Sequence, residues 1–257
     1  MRIPIAKPWL GDEEAEEAAK VIRSGWVTQG PKVAEFEKAF CEYTGAKHAV
    51  ALSNCTTALH LSLIAAGIGF GDEVICPSMS YIATANSIVH TGATPVFAEV
   101  GEDFNLNLAD VERRISSKTK AIMLVHQIGM PADIEEFQRL CAIHDLALIE
   151  DAACAIGASY KGKKIGSHSQ FVCFSFHPRK VITTGDGGMI TTNDAEVAQR
   201  LRYLRQHGMS VSDVVRHGSK SVVIEEYLEV GYNYRMTDIQ AAVGVEQLKR
   251  LNQIVAR

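Results

Sequence analysis

Short apolar runs alternate along the chain with longer stretches in which apolar residues recur every three or four positions. The short runs are HAVAL (48–52), EVIC (73–76), PVFAEV (95–100), KAIMLV (120–125), LALIE (146–150), FVCFSF (171–176) and MITT (189–192). Most are continuous rather than alternating, as in strands covered on both faces. The longer stretches predict helices. Residues 12–24 place Ala15, Ala18, Ala19 and Ile22 on one face and stop at Gly25. Residues 131–144 open with Pro131 and bring Ile134, Phe137, Leu140 and Cys141 together. Further helices are expected at 31–43, 56–67, 80–90, 107–116 and 194–206. This alternation predicts an α/β fold, a three-layer, mostly parallel sheet with helices on both faces. No internal repeat, low-complexity tract or linker interrupts it, and residues 208–230 read as a long surface loop or an arm. Near the end, Ile239, Ala242, Val243, Leu248, Leu251, Ile254 and Val255 trace one apolar face with no glycine or proline stop behind it. Such a helix is expected to continue into a further domain.

The 257 residues, 47% hydrophobic and 22% charged, suffice for a sizeable core. A net charge of −4 argues against a nucleic-acid or anionic-membrane surface, which would carry a basic face. The longest apolar stretch, 58–70, is broken by His60, Ser62 and glycines and is too short to span a bilayer. MRIPIAKPWLGDEE lacks the apolar core of a signal peptide. Cysteines 41, 55, 76, 141, 154 and 173 form no CxxC and read as reduced thiols of a cytoplasmic protein. Histidines at HExxH or HxH spacing are absent, so no metal site is expected.

In an open α/β sheet, ligands bind beyond the carboxyl ends of the strands. After HAVAL comes SNCTTALHLSLIAAG, a small polar turn entering a helix. Backbone N–H groups of 54–57, with the hydroxyls of Ser53, Thr56 and Thr57, form an anion cradle there or an ordinary helix cap. After LALI come Glu150 and Asp151. An acid at a buried strand end calls for a cation, such as a protonated ring nitrogen, or caps the next turn. After FVCFSF comes HPRK, with Lys180 five residues beyond Ser175 and His177 beside it. A lysine at such an edge attacks carbonyls when desolvated, though most loop lysines are simply solvated. TTGDGG reads as a hairpin or bulge, and GIGFG (67–71) follows a helix, the wrong order for a dinucleotide fingerprint. Cradle, acid and lysine at one edge fit a phosphorylated cofactor with a ring nitrogen and an aldehyde, and pyridoxal phosphate has all three features.

The run EDAACAIGASYKGKKIGSHSQFVCFSFHPRKVITTGDGGMITTND closely resembles the signature of the DegT/DnrJ/EryC1/StrS sugar aminotransferases. The resemblance extends from IPIAKPWLGDEE, through SGWVTQGPKVAEFEKAF and PSMSYIATANSIVHTGATPVFAEV, to GYNYRMTDIQAAVGVEQLKRL, essentially the whole chain. It implies the fold-type I architecture, with a seven-stranded large domain and a smaller C-terminal domain. By that resemblance residues 1–236 form the pyridoxal-phosphate domain, and 237–257 begin the connection to the smaller one. It implies that Lys180 holds the cofactor covalently and that Asp151 pairs with its ring nitrogen. Tyr81 then stacks on the ring, while Thr56, Thr57 and Ser175 hold the phosphate. Asn233, in GYNYRM, reaches the phosphate of a neighbouring subunit, which implies a homodimer.

Three positions depart from the pattern. Cys55 stands where the family usually has glycine, Cys154 where glutamine or histidine contacts the ring oxygen, and Asp186 where glutamate is common. The resemblance implies transfer of an amino group, usually from glutamate, to a nucleotide-linked keto sugar. A related dehydratase branch carries histidine at the lysine position, so Lys180 disfavours it. A non-catalytic or regulatory pyridoxal-phosphate protein is the rival suggested by Cys154 and by a chain shorter than the family usually has. A nucleotide-dependent oxidoreductase lacks its phosphate fingerprint.

Overall fold

All seven apolar runs become strands of one sheet in the computed structural model, which describes residues 6–211 and 224–257. The chain enters through helices α1 (Asp12–Ser24) and α2 (Pro31–Thr44) and strand β1 (His48–Leu52). There follow α3 (Cys55–Ala65), β2 (Glu73–Pro77), α4 (Ala83–His90), β3 (Thr94–Ala98), α5 (Leu108–Arg114), β4 (Thr119–Val125), α6 (Ile134–His144) and β5 (Ala147–Asp151). A small ribbon of β6 (Ser159–Tyr160) and β7 (Lys163–Lys164) precedes β8 (Phe171–Ser175), β9 (Gly188–Thr192) and α7 (Ala195–Leu204). Helices α8 (Asp238–Lys249) and α9 (Leu251–Val255) come last.

The strand order is β1-β9-β8-β5-β4-β2-β3. From β3 to β8 every pair is parallel, and β9 runs against both its neighbours. The carboxyl ends of β1, β2, β4, β5 and β8 therefore share one edge of the sheet. Side chains alternate between two apolar layers. Val172 and Phe174 of β8 join the layer of Phe36, Phe40, Phe137 and Val245, while Phe171 and Cys173 join that of Leu59, Leu63 and Leu201. Both layers being dry, strands read as continuous apolar runs. Phe97 on the edge strand β3 is half exposed.

Several expected helix bounds shift. The helix expected from Pro131 begins only at Ile134. The Ala132 N–H donates to His126 Nδ1 at 3.2 Å, which draws Pro131–Asp133 into the preceding loop. The one expected from 80 begins at Ala83, because Ser80 and Tyr81 form the turn ahead of it. The apolar face read over 239–255 is also not continuous. The helix breaks at Arg250, whose guanidinium pairs with Glu14 and lies over the Trp9 ring. Ala241, Ala242, Val245, Leu248 and Leu251 are buried, while Val255 is half exposed. Asp238 ties α8 to the start of α2, accepting the N–H groups of Gly30 (2.8 Å), Val33 (3.0 Å) and Lys32 (3.1 Å). Of the loop or arm read at 208–230, residues 212–223 lie outside the described residues. Its two ends pair, with Ser210 N–H donating to the Glu226 carbonyl at 2.9 Å. Among the described residues no helix is long and apolar enough to cross a membrane.

Candidate active site

A cavity of about 630 Å³ opens at the carboxyl edge of the sheet. Its floor is the start of α3. Asn54 caps that helix, its side chain accepting the Thr57 N–H at 2.9 Å and its carbonyl the Ala58 N–H at 3.2 Å. Neither bond uses the N–H groups of Cys55 and Thr56, which stand at the positive end of the helix dipole. Thr56 and Thr57 line the cavity, and the Thr57 hydroxyl lies 3.3 Å from that of Ser53. The cradle rests on Gly188, the first residue of β9. A Cβ there would come within 2.3 Å of the Asn54 carbonyl oxygen, so only glycine lets the two backbones lie this close.

Asp151 ends β5 and lines the same cavity. Burial pushes its carboxyl above the ordinary 3.8, while the N–H of Ala153 and the hydroxyl of Thr84, each at 3.1 Å, favour the charged form. Two neutral donors do not replace the hydration of a buried carboxylate. The fields of Lys180 and His126 offset part of that cost, and burial still outweighs them, so a further cation placed against the carboxyl would be held strongly.

Ser175, the last residue of β8, is buried, and His177 turns the chain beyond it. The Lys180 N–H donates to the His177 carbonyl at 2.8 Å, and the Arg179 N–H to His177 Nδ1 at 3.2 Å. That turn brings Lys180 into the cavity, its Nζ 3.1 Å from Cys154 Sγ. Tyr81, 72% exposed, lines the same space.

A loop braces the two turns that flank the cavity. Gln127 Nε2 donates to the carbonyl of Met79, two residues before Tyr81, at 2.9 Å. Gly129, at φ 89, passes so close to Cys154 that a Cβ would lie 2.8 Å from its carbonyl oxygen. His126 anchors this loop from below. Its Nδ1 accepts the Ala132 N–H, so its Nε2 carries the proton and donates to buried Glu150 Oε2 at 2.9 Å.

Thr56, Thr57, Tyr81, Asp151, Ser175 and Lys180, all expected from the sequence, thus face one cavity, and Cys154 touches Lys180. Asn233 does not line it. It is exposed and forms a bridge with Gln206, while its neighbour Tyr234 lines the wall. Sequence reading missed Thr84, whose partner lies 67 residues away, and did not single out His60 and His90 as site residues, although both line the cavity. The cue available for Thr84 was its i+4 spacing from Ser80, to which it is bonded at 2.7 Å.

An open α/β sheet that gathers an anion-ready helix start, a desolvated acid and an amine at its carboxyl edge is a cofactor-binding architecture. The chain belongs to the DegT/DnrJ/EryC1/StrS aminotransferase family, whose sequence profile matches residues 8–257. It is 47% identical over 257 residues to GDP-perosamine synthase of Caulobacter vibrioides, covering 99% of this chain and 67% of that protein. Helicobacter pylori PseC, an aminotransferase involved in the biosynthesis of pseudoaminic acid, superposes with a TM-score of 0.90 at 35% identity, covering 98% of this chain and 67% of that one. Spr1654 of Streptococcus pneumoniae in its PLP form gives 0.90 at 32% identity, over 98% and 68%. The present chain spans 64% to 67% of the length of the curated relatives it matches.

Proposed function

We propose that this chain carries the site of a pyridoxal-phosphate-dependent aminotransferase that moves an amino group from glutamate to a nucleotide-linked keto sugar, in amino-sugar biosynthesis. The observation that carries the reading is the convergence of Lys180, Asp151 and the start of α3 on one cavity. The residues fit the cofactor chemically. The free N–H groups of Cys55 and Thr56, with the hydroxyls of Thr56, Thr57 and Ser175, suit a phosphate. The desolvated Asp151 suits a protonated pyridine nitrogen. When bound, pyridoxal phosphate supplies an aldehyde that condenses with amines and a cationic ring that withdraws electrons from the adjoining carbon.

The rest is the work of the chain's own side chains. Lys180 Nζ would hold the cofactor and, when released from it, would take the proton from the donor's α-carbon. Asp151 keeps the proton on the ring nitrogen. Tyr81 covers one face of the ring and orients it. In this reading Asn233 serves the site of a second copy, so the working form is a homodimer, and the six unpaired cysteines accord with a cytoplasmic setting. Support for the sugar substrate comes from the relatives named above.

Borohydride reduction of the chain saturated with pyridoxal phosphate, followed by mass mapping, tests the reading. The cofactor is expected to become fixed at Lys180, and Lys180→Ala to remain unlabelled. Labelling that persists in Lys180→Ala overturns the assignment.

A further inference from the structure

Cys154 and Lys180 form a contact that the proposed reaction does not use. The Cys154 thiol is exposed, and its Sγ lies 3.1 Å from Lys180 Nζ. The contact is braced from behind, because Gly129 packs against the Cys154 carbonyl. A second thiol, Cys55, lines the same cavity and feels the charges of both Cys154 and Lys180. Burial pushes the Cys55 thiol well up and keeps it protonated, so the exposed Cys154 is the sulfur open to oxidants. An oxidised sulfur condenses with a neighbouring nitrogen when the two are already in contact.

We propose that Cys154 and Lys180 are a modification site, at which a peroxide converts the pair into a covalent sulfur–nitrogen link. In the first step the peroxide O–O bond breaks and the Cys154 S–H becomes S–OH. Sulfur is oxidised by two electrons and the peroxide is reduced to water. In the second step the nitrogen lone pair of Lys180 attacks that sulfur. The S–N bond forms, the S–O bond breaks, and hydroxide leaves with an amine proton as water. The linked chain is two hydrogens lighter than the reduced one. A thiol reductant reverses the link, first forming a mixed disulfide with Cys154 and releasing the amine, then freeing the thiol. The link ties up the amine that would hold the cofactor, a consequence that rests on the function proposed above. The link itself does not depend on that function.

The test treats the purified full chain with hydrogen peroxide, with and without saturating pyridoxal phosphate, and maps unreduced peptides by mass. The expected product joins the Cys154 and Lys180 peptides, two hydrogens lighter than their sum. Dithiothreitol should abolish it, and Cys154→Ser should not form it. Pyridoxal phosphate is expected to suppress it at least tenfold. Cys154 oxidised to sulfinic acid beside a free Lys180, a Cys55–Cys154 disulfide in its place, or no modification at all each overturns the proposal. A link that forms equally with the cofactor present, in a chain that borohydride does not label, sustains this proposal and instead refutes the cofactor reading.

Discussion

Replacing Gly188 with alanine tests the architecture of the anion cradle through a single methyl group. The φ of Gly188 lies outside the left-handed region, so alanine carries no backbone penalty there. The effect is steric. A Cβ would sit 2.3 Å from the Asn54 oxygen, 2.4 Å from its carbonyl carbon and 2.8 Å from the Cys55 nitrogen, where real Cβ contacts stay beyond 3.0 Å. The Asn54–Cys55 peptide, or β9 beneath it, must yield by about 0.7 Å, the gap between 2.3 and 3.0. Overpacking of this kind costs about 1–3 kcal/mol of stability. Because the displaced peptide is the start of α3, pyridoxal phosphate should also bind roughly 10- to 100-fold more weakly, the loss of one hydrogen bond to a charged group at about 1.5–3 kcal/mol. Gly185→Ala is the control. Gly185 has φ 86 with nothing within 4 Å of a Cβ, so alanine there should lower stability by about 1–2 kcal/mol through backbone strain and leave cofactor affinity alone. Spectrophotometric titration with the cofactor and urea unfolding measure both quantities. Unchanged affinity in a folded Gly188→Ala variant would refute the assignment of the phosphate to this helix.

Asp151 binds a proton more readily when folded, because burial raises its carboxyl above the ordinary 3.8. Its contribution to stability is therefore fully present below 3.8 and is lost as pH rises through the elevated value. Without cofactor, Asp151→Asn should flatten that loss in urea unfolding across the pH range, and an unchanged profile would contradict it. Asp238→Ala leaves the N–H groups of Gly30, Lys32 and Val33 without their acceptor and should lower unfolding free energy by about 1–3 kcal/mol, read by urea titration.

The sheet was readable from the chain because both its faces are dry. FVCFSF can be continuous only where Val172 and Phe174 meet one layer and Phe171 and Cys173 the other. Asp151 and Lys180 were readable for a related reason. Asp151 closes one buried strand and Lys180 follows another, and chain order alone places both at the carboxyl edge. What the sequence hides is contact between distant segments. Thr84, at the start of α4, meets Asp151, at the end of β5, across 67 residues of chain, and its spacing from Ser80 does not encode that partner. The purpose of Gly188 was equally hidden. TTGDGG has the composition of a hairpin, whereas its last glycine serves a close approach to Asn54. The helix expected from Pro131 failed through a competing bond, since His126 takes the Ala132 N–H.

The bracing loop from His126 to Ala132 makes the Tyr81 and Cys154 turns dependent on each other's history. Gly129 must stay small as long as the Cys154 carbonyl occupies its present place, and Gln127 must keep its reach to Met79 for the Tyr81 turn to hold. The side chain at 154 is exposed and meets no such restriction. Descent with change can therefore exchange the residue beside Lys180 cheaply, while the backbone that presents it drifts only in step with a loop 25 residues upstream. A frame of this kind lets the environment of the amine vary without dismantling the pocket.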